Sequence, residues 1–473
     1  MKKILCSLAF LLASSAMMAQ STDRQFAINS RGDSSMVIYA YLAKNPTGRA
    51  VVDCPGGGYS HLSMDNEGHN WAEYFNRMGI SYFVLKYRMP YGDRTLPLSD
   101  AYMAMQTVRD SAKVWHINPY DVGIMGFSAG GHLASSVSTH ADWKVRPNFS
   151  ILFYPVISMN SRETHKGSCV NFLGSSDPDK ALVKEWSNDK AVQRHLTPRA
   201  IVILANDDKA VPPVTNGVAY YSAMRRAGNE CSMLIYPHGG HGFGMRNTFP
   251  YHEQMLNELT SWLNSFKAPK EDAIRVACIG NSITDGFGID MADEKGYPAQ
   301  LQKLLGEGYN VKNFGVSSRT LLNKGDYPYQ KEEAWHDAQA FEPNIAIIKL
   351  GTNDSKGHVW KYKDDFQADY KQMIDSLKQL PSKPKIYICT PIPGQNNGWD
   401  ITDSVITNGV IPEILKVAKK NKVEVIDLHT AFAANDGMMQ KDGVHPTEKG
   451  AAKMAEIISG KIAGTSDKKT KKQ

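Results

Sequence analysis

The chain predicts two successive three-layer α/β domains, each a largely parallel sheet held between helices. Three observations carry this reading. At 473 residues the chain is longer than one hydrophobic core usually organises. Short β-rich runs alternate with amphipathic helical stretches from end to end. A polar, proline-containing segment around Lys267–Asp272 interrupts the alternation, which then restarts with a fresh strand. The halves share no sequence repeat, so they are two folds and not one fold duplicated.

In the first half the strands fit Ala50–Cys54, Tyr82–Leu85, Val122–Met125, Ser150–Phe153, Ala200–Leu204 and Cys231–Tyr236. Helices fit Asn70–Met78, Ser99–Lys113, Gly131–Ser138, Val214–Ala227 and Tyr251–Phe266. In the second half the strands fit Ala273–Ile279, Asn310–Phe314, Ile345–Lys349, Lys385–Cys389 and Glu424–Asp427, with helices over Tyr297–Leu305, Asp364–Gln379, Ile411–Lys420 and Glu448–Ile458. The expected boundaries are a leader over 1–19, a first domain over 20–267, a linker over 268–272, a second domain over 273–462 and a basic, disordered tail over 463–473.

The leader reads as a cleavable signal peptide: Lys2 and Lys3, an apolar run from Ile4 to Leu12, then small residues to Ala19. That run is too short for a permanent span and no later stretch reaches transmembrane length, so the expectation is a secreted or periplasmic protein. The formal net charge of +6 sits mostly at the ends: Lys2 and Lys3 in the leader, then Asp467, Lys468, Lys469, Lys471 and Lys472 in the tail. The body between carries about +1, which excludes an electrostatic footprint for nucleic acid and suits a neutral polymer. Cys54, Cys169, Cys231, Cys278 and Cys389 are scattered through apolar runs and read as buried free thiols. There is no Cys-x-x-Cys or His-Glu-x-x-His pattern, so neither a metal nor any other cofactor is expected. Nothing specifies an oligomeric state.

Gly126-Phe127-Ser128-Ala129-Gly130 follows an apolar strand and precedes a helix-compatible run. Glycines on both sides of a serine let the chain turn sharply and leave its Oγ standing at a helix N-terminus, which makes Ser128 the candidate nucleophile. The strand Ala200–Leu204 runs into Ala205-Asn206-Asp207-Asp208, placing a carboxylate at the strand end; Asp208 is favoured by its spacing before Val211-Pro212, with Asp207 as the alternative. Cys231–Tyr236 leads to Pro237-His238-Gly239-Gly240-His241-Gly242, where His241 is the expected base and His238 the alternative. Upstream, Cys54-Pro55-Gly56-Gly57-Gly58-Tyr59 ends a strand. Backbone N–H groups reach a tetrahedral oxyanion only where side chains are absent, so the hole is assigned to Gly57 or Gly58 with the N–H of Ala129. These blocks, with Lys86-Tyr87-Arg88, Asn118-Pro119 and the continuation Gly131-His132-Leu133-Ala134, resemble the α/β-hydrolase esterases grouped with acetyl xylan esterases, from about Asp33 to Phe266. Feruloyl esterases and lipase-like carboxylesterases share much of the pattern.

In the second half four blocks follow in order: Gly280-Asn281-Ser282, Asn313-Phe314-Gly315, Gly351-Thr352-Asn353-Asp354 and Asp442-Gly443-Val444-His445. Together they resemble the SGNH (GDSL-type) hydrolases, from about Ile274 to Ile462, which implies a flavodoxin-like sheet. The resemblance implies Ser282 as nucleophile, Asp442 and His445 as its partners, and an oxyanion hole from the N–H of Ser282, the N–H of Gly315 and the amide of Asn353. Asn281 stands where that family usually has aspartate, a feature closer to the sialate and polysaccharide O-acetylesterases. Tyr327, Tyr329, Trp335, Trp360 and Trp399 are candidates either for stacking on sugar rings or for packing.

The expectation is therefore a cofactor-free tandem esterase that removes O-acetyl groups from plant polysaccharides such as xylan. Two alternatives stay open: a feruloyl or general carboxylesterase in the first domain, or one domain degenerate and kept as a carbohydrate-binding module.

Overall fold

A computed structural model describes residues 25–29, 35–395, 398–432 and 437–470. The chain divides into two compact units at Phe266/Lys267. The expected leader lies outside the described residues.

The first unit is built on eight strands: β1 (Gln25–Ile28), β2 (Val37–Tyr41), β3 (Ala50–Cys54), β4 (Ser81–Lys86), β5 (Val122–Phe127), β6 (Phe149–Phe153), β7 (Arg199–Ala205) and β8 (Cys231–Tyr236). Their order across the sheet is β1-β2-β4-β3-β5-β6-β7-β8. Only β2 runs against its neighbours; every other pairing is parallel. Because side chains alternate along a strand, one face carries Val52, Ile124, Leu152 and Val202 against Leu133 and Val137 of the helix Ser128–His140. The other carries Val51, Met125, Ile151 and Ile203 against Trp71, Leu259 and Trp262.

The second unit has five parallel strands: β9 (Ile274–Gly280), β10 (Tyr309–Gly315), β11 (Ile345–Lys349), β12 (Lys385–Cys389) and β13 (Glu424–Ile426). Their order is β10-β9-β11-β12-β13. The chain steps from β9 to one side for β10 and then returns to its other side for β11. This reversal opens a crevice at the carboxyl end of β9, where open α/β sheets place their sites. One face of this sheet carries Val276, Cys278, Ile347 and Tyr387 against Leu301, Met454 and Ile458 of flanking helices. Both units thus have the three-layer architecture expected.

Several elements differ from expectation. β1 and β2, assigned to no element from sequence, form an antiparallel edge of the first sheet. Helices Lys166–Leu173 and Lys180–Trp186 occupy a stretch assigned to no element from sequence, and Glu333–Ala340 adds another to the second unit. These are short, so hydrophobic periodicity has few turns in which to register. The last helix runs from Glu448 through Thr470. Of the five cysteines, Cys54, Cys169, Cys278 and Cys389 are buried free thiols and Cys231 is half-buried. No helix of the described residues is long and apolar enough to cross a membrane.

Candidate active sites

In the first unit β5 ends at Phe127 and the helix begins at Ser128, whose φ of +52° is left-handed, a conformation disfavoured for a residue with a side chain. The turn closes only because its flanks are glycines. A Cβ on Gly130 would lie 2.0 Å from the carbonyl oxygen of Cys54, and one on Gly126 2.2 Å from that of Gly130. The nucleophile is thereby held against the end of β3.

His241 completes the centre from the loop after β8. Its Nε2 lies 2.8 Å from Ser128 Oγ, and its Nδ1 lies 2.7 Å from Asp208 Oδ2. The other oxygen of Asp208 accepts the N–H groups of Ala210 and Val211, both at 2.9 Å, so the carboxylate cannot rotate away. Asp207, the alternative, instead accepts the N–H of Gly240 at 2.8 Å and braces the histidine loop. His238 is exposed and outside the triad.

The glycine loop lies against the nucleophile: a Cβ on Gly56 would sit 3.1 Å from Ser128 Cβ. Gly57 and Gly58 take left-handed φ values of +138° and +64°. Among the described residues no hydrogen bond occupies the N–H of Gly57, Gly58 or Ala129, so all three assigned donors are open. The loop is fixed by the neighbouring motif residues. Tyr59 Oη lies 2.9 Å from Nδ1 of His132 on the nucleophile helix, and Tyr87 Oη donates to the carbonyl of Pro55 at 2.7 Å. His132 is fully buried, its other nitrogen 2.9 Å from the carbonyl of Trp186; burial pushes its pKa down to about 4, so it acts as a neutral strut. The helix Lys166–Leu173 adds Asn171, whose amide donates to the carbonyl of Gly58 at 2.9 Å.

Sequence reasoning missed Glu67 and Tyr154. One carboxylate oxygen of Glu67 accepts the N–H of Gly56 at 3.1 Å, and the other accepts Tyr154 Oη–H at 2.8 Å. Tyr154 Oη in turn accepts the N–H of Gly244 at 3.0 Å, and its ring packs edge-on against His241 at 4.9 Å. This buried chain joins the glycine loop to the histidine loop. Burial raises the Glu67 pKa, while Tyr154 and the nearby His241 pull it back in part. The sequence signal was weak: one glutamate eleven residues beyond Gly56, with no motif around it.

In the second unit Ser282 begins the short helix Ser282–Asp285 at the end of β9. His445 Nε2 lies 2.7 Å from Ser282 Oγ, and its Nδ1 lies 2.8 Å from Asp442 Oδ2. Asp442 Oδ1 accepts the N–H groups of Val444 at 2.9 Å and His445 at 3.0 Å, so one turn presents acid and base together. Burial opposes ionisation of Asp442, but these N–H groups and the imidazole outweigh it and hold its pKa below the usual range. His445 is buried, which lowers its pKa; Asp442 only partly offsets this, and the nearby Lys349 pushes the same way as burial. Lys349 itself is buried with Nζ donating to Thr352 Oγ1 at 3.0 Å, and burial brings it down to about 7.

The assigned oxyanion donors of this centre do not stand alike. Asn353 is buried, and its amide donates one hydrogen to the carbonyl of Arg319 at 3.0 Å, leaving a second hydrogen. The N–H of Gly315 is already donated to Asn313 Oδ1 at 2.9 Å. Its glycine identity has a packing cause, since a Cβ there would lie 2.2 Å from the backbone nitrogen of Asp285. Asn281 accepts the N–H of Ile283 at 3.2 Å and caps the nucleophile's helix, a role an aspartate would fill equally. Asp354 accepts the N–H groups of Leu321 and Leu322 at 3.0 and 2.8 Å, fixing the loop beside Asn353. Tyr329 and Trp335 are core residues and Trp360 is half-buried, whereas Tyr327 and Trp399 are exposed. Among the described residues no group of three or more His, Cys, Asp or Glu side chains is placed to hold a metal.

Each centre is arranged to activate a serine hydroxyl for attack on an acyl carbon. Residues 51–245 match the model of the alpha/beta hydrolase fold and residues 278–453 that of the GDSL-like Lipase/Acylhydrolase family. Fold and family together define a tandem carboxylic ester hydrolase. An acetylxylan esterase of Xylanibacter ruminicola is 54% identical over 481 residues, covering 98% of this chain and 100% of that protein. The chain belongs to the acetylxylan esterase family. Endo-1,4-beta-xylanase B of Butyrivibrio fibrisolvens is 31% identical over 226 residues, covering 44% of this chain and 35% of that protein. A crystal structure of an acetyl ester-xyloside bifunctional hydrolase from Caldicellulosiruptor lactoaceticus is 34% identical, covers 49% of this chain and 88% of its own, and superposes with a TM-score of 0.45.

Two predictions follow from this geometry. Glu67→Gln puts an NH₂ group where one of two donors must be accepted, so the link between the loops breaks on one side. With the second centre silenced by Ser282→Ala, kcat should fall about 10–100-fold, roughly 1–3 kcal/mol, with a smaller change in KM; unchanged kcat would remove Glu67 from the positioning of this centre. At the second centre, a base with a lowered pKa stays neutral further into acid. The acid limb of kcat/KM in Ser128→Ala protein should therefore lie below the ordinary histidine value of about 6.5, and a limb above that value would contradict the effect of burial on His445.

Proposed function

We propose that both centres are catalytically active and that the protein, exported by its leader, removes O-acetyl groups from xylan-type polysaccharides. The observation that carries this reading is the presence, in each unit, of a serine, histidine and aspartate joined by hydrogen bonds of 2.7–2.8 Å in the order the chemistry needs. Both curated relatives bear names that refer to xylan, which supports that polymer as the substrate.

The steps are the same at either site. The histidine Nε2 takes the serine proton as Oγ attacks the acetyl carbonyl, and the aspartate holds the imidazole in orientation and stabilises its cation. The oxyanion forms beside open donors: Gly57, Gly58 and Ala129 at the first centre, the N–H of Ser282 and the remaining amide hydrogen of Asn353 at the second. Gly315 contributes there only by sharing the hydrogen it now gives Asn313. Collapse expels the sugar hydroxyl, which leaves with the histidine's proton. Water then repeats the sequence on the acetyl-serine and releases acetate. Two sites of different fold on one chain supply two differently shaped clefts for acetyl groups at different ring positions.

Measured by acetate release from acetylated xylan, Ser128→Ala and Ser282→Ala should each remove one component of activity, and only the double variant should be inert. A single substitution that abolished all turnover would refute two independent centres. Asn353→Ala in the Ser128→Ala protein should lower kcat by about 10²–10³-fold with KM little changed, because an oxyanion donor acts as charge develops; a folded variant with undiminished kcat would exclude Asn353 from the hole.

A further inference from the structure

Two aromatic rings flank the base of the second centre and leave much of their surface open. Phe287 lies 4.6 Å from the His445 ring, centroid to centroid, and Trp399 lies 5.4 Å from it. The two rings stand 6.4 Å apart at 86° to each other, forming a corner with the imidazole inside it. His445 is only 5% exposed, yet Phe287 is 45% and Trp399 43% exposed. Tyr329, Trp335, Tyr370 and Tyr387 of this unit are buried, and Tyr327, which is exposed like these two rings, lies against the Arg319 guanidinium.

The corner is anchored. The N–H of Phe287 donates to the carbonyl of Ser282 at 2.9 Å, and the carbonyl of Phe287 accepts the Gln440 amide at 2.9 Å, tying the ring's backbone to the nucleophile and to the histidine loop. Beside Trp399, Asp400 accepts the N–H of Gly357 at 2.9 Å and Ile401 is buried.

The chemistry of the triad states which part of an ester meets these rings. The histidine must deliver its proton to the leaving oxygen, so the alcohol lies on the imidazole side of the serine, while the acyl oxygen points towards the N–H of Ser282 and Asn353. Rings that pack on the imidazole therefore contact the alcohol. An acetyl group is too small to reach both the oxyanion donors and this corner. The open face of either ring is flat and apolar, and it matches a pyranose ring, whose C–H groups form an apolar face edged by hydroxyls. We propose that Trp399 and Phe287 form the binding face for the sugar ring that bears the scissile acetyl group, and so select a carbohydrate alcohol at the second centre. This assignment rests on the reading of that centre as a carbohydrate acetylesterase.

The test uses the full chain with the first centre silenced by Ser128→Ala and two substrates with the same acyl group. One is an O-acetylated xylo-oligosaccharide, whose alcohol is a pyranose. The other is glyceryl triacetate, whose alcohol has no ring. Trp399→Ala should lower the ratio of kcat/KM for the sugar ester over the glyceryl ester by about tenfold, carried mainly by KM, and Trp399→Phe should restore part of it. A deacetylated xylo-oligosaccharide should inhibit glyceryl triacetate hydrolysis competitively, and more weakly after Trp399→Ala. A ratio unchanged by the substitution overturns the proposal, whether both activities fall together or neither does. If the protein with Trp399 intact cleaves glyceryl triacetate and leaves the acetylated oligosaccharide untouched, the carbohydrate reading of this centre itself fails.

Discussion

Both centres depend on a turn in which a buried parallel strand gives way to a helix at the serine. The backbone must reverse there with almost no space, and glycines provide it. Gly126 and Gly130 let the start of the helix Ser128–His140 press against the end of β3, leaving Ser128 with a left-handed backbone. In the second unit a Cβ on Gly280 would lie 2.8 Å from the carbonyl of Lys349, and Gly315 touches the backbone at Asp285. With the serine lodged at a strand end and a helix N-terminus, its hydroxyl faces the loops and nearby N–H groups face the acyl oxygen.

The two folds hold their histidines by the same local device. In each, one aspartate oxygen is tied to two backbone N–H groups two and three residues ahead, and the other to the imidazole Nδ1. A carboxylate so divided has one orientation, and the imidazole inherits it. The supports around this device differ. The first unit brings acid and base from separate loops, 33 residues apart, and joins the glycine loop to the histidine loop through Glu67 and Tyr154. The second places acid and base on one turn, so its bracing is spent elsewhere, on Asp354 and Lys349 around the Asn353 loop.

The surroundings of the two bases also separate them. His241 packs against Tyr154, a buried ring committed to a hydrogen-bond chain. His445 lies between Phe287 and Trp399, whose outer faces meet solvent. The triads are thus flanked by a buried ring in one unit and by two solvent-exposed rings in the other, a difference that leaves the sheets unaffected.

The grouping of Ser128, Asp208 and His241 was expected from the sequence because each sits at a strand end or in a turn with constrained glycines or prolines nearby, and that of Ser282, Asp442 and His445 from four short blocks that resemble a known family. That constraint is local, so it leaves a local pattern. The strand–helix alternation and the break near Phe266 were legible for the same reason, since periodicity is a property of neighbouring residues. What only the tertiary structure decided lies between segments distant in the chain. Glu67 acquires its place from Gly56 and from Tyr154, 87 residues away. Phe287 and Trp399 meet only around His445. Such roles follow from three-dimensional proximity, and a motif records proximity only when the partners are also neighbours along the chain.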